Sequence, residues 1–222
     1  MTTKTTLVTG ANRGIGYELA KQLKARGNDV IAVCRNPSPE LDHLGVRVES
    51  GIDVAKAADV ADLAKRVANV RLDCLIANAG ILHGDTFDTL SFEGVLDQFQ
   101  VNAVGTLRTV HALAPRLAEG SKVALITSRM GSMADNGSGG FYGYRMSKAA
   151  LNAAGVSLAR DLAKRSISVA ILHPGYVKTE MTGNSGGIEP SDAAAQLLER
   201  IEALNPQNTG TFWHANGEVL PW

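Results

Sequence analysis

What most constrains the fold is an alternation that never breaks. Short apolar runs and stretches of helical spacing follow one another along the whole chain. Thr5-Thr6-Leu7-Val8-Thr9 reads as a buried first strand, stopped at Gly10. Gly14-Ile15-Gly16 opens a helix to about Ala25, with Ile15, Leu19, Ala20 and Leu23 on one face. Further strands are expected at Asp29–Cys34, Val46–Glu49, Leu72–Ala77, Lys122–Thr127, Ser168–Leu172 and Thr211–Trp213. Helices are expected at Val54–Val70, at Phe92–Leu117 with a break before Pro115, at Tyr144–Lys164 and at Ser191–Leu204. Ser191, after Pro190, is the expected N-cap of the last helix. Gly131–Gly143 is rich in Gly, Ser and Asn and reads as a loop.

Strands alternating with helices call for a parallel sheet covered on both faces, and the near-continuous apolar strands agree with two-sided burial. The expectation is one α/β domain. It is a doubly wound, Rossmann-type parallel sheet of order 3-2-1-4-5-6-7, with ligands at the carboxyl ends of the strands. The 222 residues suffice for one such domain with a full core, and no linker or repeat divides them.

Charge narrows the partners. The 22 basic and 22 acidic residues balance, which argues against nucleic acid or an anionic membrane. No apolar run approaches membrane-spanning length. The polar start Met1 to Lys4 leads straight into a strand, so no signal peptide is expected and a cytoplasmic location is the default. Cys34 and Cys74 fall on strands flanking a common neighbour, ~10 Å apart. That is too far for a disulfide, and both read as reduced core thiols. His83, His111 and His173 have no metal-ligand spacing, and no Gly-x-Ser-x-Gly elbow is present.

Two stretches carry chemistry. Thr9-Gly10-Ala11-Asn12-Arg13-Gly14-Ile15-Gly16 lies between the first strand and the first helix, where such a fold places a pyrophosphate. Glycines let backbone approach the phosphates, and the helix start supplies N–H groups and positive potential. The second strand ends Val33-Cys34-Arg35-Asn36, with no carboxylate until Glu40. Arg35 is therefore a candidate ligand for a 2′-phosphate, Arg13 a second, and NADP(H) is expected over NAD(H). The other stretch is Tyr144-Arg145-Met146-Ser147-Lys148. A Tyr and a Lys at i,i+4 share one helix face, and a nearby ammonium is expected to lower the phenol's pKa.

These motifs, with Asn78-Ala79-Gly80, Asn102, Ser128 and Pro174-Gly175, stand in the order in which they occur in the short-chain dehydrogenase/reductase family, which the chain resembles along essentially its whole length. The ending Asn216-Gly217-Glu218-Val219-Leu220-Pro221-Trp222 and the compact length are similar to the branch of C-factor and sniffer-type carbonyl reductases.

The resemblance implies an oxidoreductase that moves a hydride between a nicotinamide cofactor and a small carbonyl or alcohol substrate. Tyr144 would give a proton to, or take one from, the substrate oxygen. Lys148 would tune Tyr144 and hold the nicotinamide ribose. Ser128 would hydrogen-bond the substrate oxygen, and Asn102 would anchor a water that leads protons towards Lys148. Asn78, Ala79 and Gly80 would lie beside the cofactor, Asp53 with Val54 would meet the adenine, and Pro174, Gly175, Val177 and Thr179 would line the nicotinamide side.

Alternatives remain at two positions. Ser132 competes with Ser128, which is preferred because it directly follows strand residues Ala124-Leu125-Ile126-Thr127. Tyr142 competes with Tyr144, but only Tyr144 has Lys at i+4, and Tyr142 reads as a pocket wall. The gap from Ser128 to Tyr144 exceeds the family's usual one, an excess assigned to Asn136–Gly140. About ten residues separate Thr179 from the last helix, and Gly183, Gly186 and Gly187 are expected to make this segment flexible over an open, tolerant pocket. The small residues Ala149, Ala150, Ala153, Ala154 and Gly155 allow close approach of another helix, from the same chain or from a second copy in a homodimer or homotetramer. A nucleotide-binding signalling protein with weak catalysis is the alternative function.

Overall fold

The structure, a computed structural model, describes residues 3–222. Met1 and Thr2, part of the polar start, lie outside the described residues. Seven strands form one parallel sheet: β1 Thr5–Thr9, β2 Asp29–Val33, β3 Arg47–Glu49, β4 Leu72–Ala77, β5 Leu117–Ile126, β6 Ser168–His173 and β7 Phe212–His214. Their order is β3-β2-β1-β4-β5-β6-β7, the order expected. The helices are α1 Gly14–Ala25, α2 Pro39–His43, α3 Ala57–Arg66, α4 Phe92–Phe99, α5 Thr106–Leu113, α6 Tyr142–Ala163 and α7 Pro190–Ala203.

Successive strand residues point to opposite faces, and each face has its own core. Leu7, Leu75, Leu125 and Ile171 pack on one side with Leu63 of α3, Val110 and Leu113 of α5, and Leu151, Ala159 and Leu162 of α6. Val8, Ile76, Ala124 and Ala170 pack on the other with Leu19 and Leu23 of α1 and Leu197, Leu198 and Ile201 of α7. Each fully buried Leu or Ile is worth about 1.5–3 kcal/mol, which is what clamps both helical layers to the sheet.

The chain turns in opposite directions from the centre of the sheet, to β2 and β3 on one side and to β4 on the other. The carboxyl ends of β1 and β4 are stitched together there. Thr9 Oγ1 accepts from the Asn78 and Ala79 N–H groups, each at 3.1 Å, and Asn78 Nδ2 donates to the Thr9 carbonyl at 3.1 Å. This crevice is where a doubly wound sheet binds its ligand.

Several element boundaries differ from expectation, each for a physical reason. The stretch expected to be helical from Phe92 to Leu117 is α4, a π-helical segment Gln100–Gly105 and α5, and the break expected before Pro115 is there, as a 3-10 turn Ala114–Arg116. Leu117 opens β5 instead, which reaches Lys122 through a register irregularity against β4. The five-residue α2 was not expected. Ser38 Oγ accepts from Leu41 N–H at 3.2 Å, and Leu41 is its one buried residue. α3 begins at Ala57, because Lys56 N–H closes a turn on the Asp53 carbonyl at 2.9 Å. Glu189, not Ser191, precedes α7, and Pro190 takes its first turn. α6 begins at Tyr142, two residues before Tyr144.

Cys34, just past β2, and Cys74, on β4, are free thiols, with β1 between those strands. Burial raises both pKa values, that of Cys74 to about 12. Gly155 faces the sheet of its own chain, where an added Cβ would stand 2.7 Å from Ile171 Cδ1. Among the described residues no helix is long and apolar enough to cross a membrane, and no group of three His, Cys, Asp or Glu is placed to hold a metal ion.

Candidate active site

A cleft of about 820 Å³ opens over the carboxyl ends of β1, β2 and β4. Its volume falls within the ~300–1,000 Å³ of small-molecule and cofactor sites. The glycine turn forms its floor, with Gly10, Asn12, Arg13, Gly14, Ile15 and Gly16 on the lining. The turn has no room to spare: a Cβ on Gly16 would stand 2.1 Å from the Gly10 carbonyl oxygen and 2.6 Å from Asn78 Nδ2. Backbone therefore forms the surface there, and Gly14, Ile15 and Gly16 at the start of α1 line the cleft. A turn of this shape can cradle a pyrophosphate, and the residues present fit a dinucleotide.

The expected cofactor residues divide into two groups. Arg35, Asp53, Val54, Asn78, Ala79, Gly80 and Thr179 line the cleft with the glycine turn. Arg35 is exposed at its rim. Arg13 pairs with Glu180, on the opposite lip. Pro174, Gly175 and Val177 are not on the lining. Val177 is buried and paired to Ile188, and its neighbours hold the return of the chain from β6. The segment after Thr179 is braced rather than loose. Gly187 N–H donates to the Tyr176 carbonyl at 2.8 Å, Lys178 N–H donates to the Ile188 carbonyl at 2.9 Å, and a Cβ on Gly186 would stand 2.2 Å from the Val177 carbonyl carbon. Gly186 thus serves close packing, not flexibility.

Tyr144 and Lys148 lie on one face of α6, 8% and 4% exposed. The Lys148 ammonium donates to the Ile126 carbonyl at the end of β5 at 2.9 Å and sits 5.6 Å from the centre of the Tyr144 ring. Burial lowers the Lys148 pKa to about 8. Burial raises the Tyr144 phenol to about 12, with the Ser128 hydroxyl pulling it back. The expected lowering of Tyr144 by Lys148 is thus not what the geometry gives: the ammonium lies over the ring and is committed to Ile126, while desolvation of the phenolate dominates. Ser128 is the serine beside Tyr144. Ser132 instead accepts from Asp135 N–H at 3.1 Å in the following turn.

Asn102 is fully buried in the π-helical segment. Its Oδ1 accepts from Ile81 N–H at 2.8 Å, and its Nδ2 donates to the Ile81 carbonyl at 2.9 Å and to Ser147 Oγ at 3.0 Å. Ser147 Oγ in turn donates to the Tyr144 carbonyl at 2.8 Å. Asn102 therefore ties the strand-end loop to the turn of α6 between Tyr144 and Lys148. A Cβ placed on Gly80 would stand 3.1 Å from Asn102 Oδ1 and 3.7 Å from Lys148 Nζ, so the cleft wall abuts this cluster. Sequence reasoning missed Ser147, whose only cue was its place inside the Tyr-to-Lys turn, and Asp85, whose partners lie far along the chain.

With this geometry in place, comparisons with known proteins give the class. The family model described as short chain dehydrogenase matches residues 4–187, and the chain belongs to that family. A Rhodococcus sp. (strain AD45) protein named 1-hydroxy-2-glutathionyl-2-methyl-3-butene dehydrogenase is 42% identical, across 98% of this chain and 99% of its own. The C-signal protein of Myxococcus xanthus is 39% identical, across 72% of this chain and 98% of its own. Among solved structures, the carbonyl reductase Sniffer of D. melanogaster superposes with a TM-score of 0.92 at 29% identity, over the full length of both chains. An NADPH-bound carbonyl reductase from chicken fatty liver gives 0.91 at 28%, also over both full lengths. The chain is thus an oxidoreductase of the short-chain dehydrogenase family, like the carbonyl reductases in fold.

Proposed function

We propose that this protein is an NADPH-dependent carbonyl reductase acting on aldehydes or ketones, with Tyr144 as the proton donor. One observation carries the reading: the wall of the dinucleotide cleft at Gly80 abuts the buried Asn102 and Lys148, and Lys148 lies over the ring of the buried Tyr144. A nicotinamide bound in such a cleft supplies the hydride. Tyr144, protonated at neutral pH, gives its proton to the substrate oxygen, and Ser128 holds that oxygen. Lys148 fixes the ribose hydroxyls. Asn102 acts through its side chain as a brace, since both its amide atoms are taken up by Ile81 and Ser147. The short, braced segment after Thr179 leaves the substrate side open, which suits varied carbonyl compounds. A cytoplasmic location and self-association through the exposed side of α6 complete the proposal.

The test is NADPH consumption against a panel of aldehydes, ketones and diketones, with alcohols and NADP+ in the reverse direction. A glutathionyl alcohol belongs on the panel, given the relative from Rhodococcus. Turnover of several carbonyl compounds is expected. Tight NADPH binding with no turnover would instead favour the second reading, a nucleotide-binding signalling protein, which the similarity to C-signal supports.

Cofactor preference is tested separately. Arg35 is exposed at the cleft rim with no carboxylate on the strand end beside it. Its fork suits a phosphate dianion. Arg35→Glu is expected to weaken NADPH binding about 10- to 100-fold, the size of a lost charge-assisted contact, and to leave NADH nearly unchanged. Equal weakening of both in a titration by cofactor fluorescence would count against the assignment.

A further inference from the structure

The helix that carries Tyr144 and Lys148 starts without a cap of its own. Phe141, just before α6, sits in the left-handed region at φ 52 and supplies no side-chain acceptor. The first N–H groups of any helix need partners from elsewhere. Here they come from a residue 57 positions earlier in the chain. The Asp85 carboxylate accepts from Tyr142 N–H at 2.6 Å and from Gly143 N–H at 3.3 Å. The Asp85 carbonyl accepts from Phe141 N–H at 2.9 Å. A carboxylate at a helix N-terminus is also favoured by the helix dipole.

The same loop is pinned at every second residue on its way from the cleft. Ile81 is held by Asn102 through both its N–H and its carbonyl. His83 N–H donates to Gln98 Oε1 at 2.9 Å. Asp85 then grips α6. Gln98 is fully buried and closes on the same helix start, where a Cβ on Gly143 would stand 2.5 Å from its Nε2. The segment from Gly80 to Asp85 thus forms a rail between the cofactor cleft and the residue that precedes Tyr144.

We propose that Asp85 is a positioning residue for the reaction. It caps α6 from the loop after β4 and so sets Tyr144 at its distance from the cleft wall. The inference rests on the reading of Tyr144 as proton donor, and its test separates the two. It compares Asp85→Ala and Asp85→Asn with wild type, using NADPH and the carbonyl compound of the panel that wild type turns over fastest. A misplacement of about 1 Å can cost about 10²-fold in rate. Asp85→Ala is therefore expected to lower kcat about 30- to 100-fold while leaving the KM for NADPH within about two-fold. Asp85→Asn keeps one acceptor oxygen and is expected to recover kcat to within about five-fold of wild type.

In a Tyr144→Phe background, Asp85→Ala should cost less than about two-fold more, because residues acting as one unit are not additive. Equal losses in both backgrounds, or a kcat for Asp85→Ala within about two-fold of wild type, overturn the proposal. Should Tyr144→Phe itself match wild type, the proton-donor reading fails first and Asp85's role falls with it. If Asp85→Ala does not fold, Asp85→Asn carries the test alone. A two- to five-fold loss of kcat (about the size of one weakened capping bond) with faster amide exchange at Tyr142 and Gly143 is expected, and no change in either overturns it.

Discussion

Tyr144→Phe is expected to bind NADPH as wild type does and to reduce carbonyl substrates about 10³-fold more slowly, within the ~10²–10⁴-fold that a positioned acid supplies. The substitution removes one oxygen and keeps the ring. The ring is 8% exposed and is packed beneath the Lys148 ammonium, so the helix and the neighbouring lysine stay in place. What disappears is the proton. Burial holds the phenol at about 12, and it therefore remains protonated across the physiological range. That favours the donating direction. Accepting a proton from an alcohol requires the phenolate, which the buried site opposes, so reduction should outpace oxidation in wild type at neutral pH. Single-turnover measurement of NADPH decay, beside equilibrium cofactor binding, checks both statements. Turnover by Tyr144→Phe equal to wild type would remove Tyr144 from the chemistry.

The sheet was legible because each strand announces itself. Leu7-Val8, Val30-Ile31, Leu75-Ile76 and Val169-Ala170-Ile171 are apolar on both faces, and each is separated from the next by helical spacing or a turn. The cleft was legible for the same reason: the position of Gly10, Gly14 and Gly16 after a first strand already implies backbone facing a ligand. What sequence spacing could not carry was long-range. The start of α6 was hidden because Gly143 resembles a loop residue. Its true reason is Gln98, which leaves no room for a Cβ. The π-helical segment at Asn102 has no residue pattern of its own, and the bonds its side chain makes to Ile81 span 21 residues of chain. Asp85 carries no local signal as a cap, because its helix begins in a distant segment. The direction of the Tyr144 shift was misjudged because i,i+4 spacing tells that two groups are near, not how dry the site is or which carbonyl the ammonium has already chosen.

Lys148→Met is expected to gain stability and lose activity together. The folded-state pKa of Lys148 is lowered from 10.5 to about 8 by burial. At pH 7 both the folded and the unfolded chain carry the proton, so the folded state bears the whole cost of the buried ammonium, about 3 kcal/mol. That cost is fully present below pH 8. It fades between about pH 8 and 10.5, where the unfolded chain still binds a proton that the folded one has released. Methionine fills similar volume without charge, but it leaves the Ile126 carbonyl without its donor, an offset of about 1 kcal/mol. The net gain of about 2 kcal/mol corresponds to a Tm higher by about 4–8 °C for a chain of this size. Thermal denaturation at pH 7 and pH 10 checks it: the gain should shrink at the higher pH, and the shift of Tyr144 cancels because both proteins contain it. Activity should fall at least about 10²-fold, since the charge proposed to fix the ribose, which lies over the Tyr144 ring, is gone. In wild type the same group sets an alkaline limb. Reduction should slow as pH rises through about 8 and Lys148 loses its proton, and Lys148→Met should lack that limb. A variant that is active and no more stable would mean that Lys148 is neither strained by its burial nor used by the reaction. The gain and the loss share one cause: a site dry enough to keep Tyr144 protonated must also hold a charged lysine against its hydration.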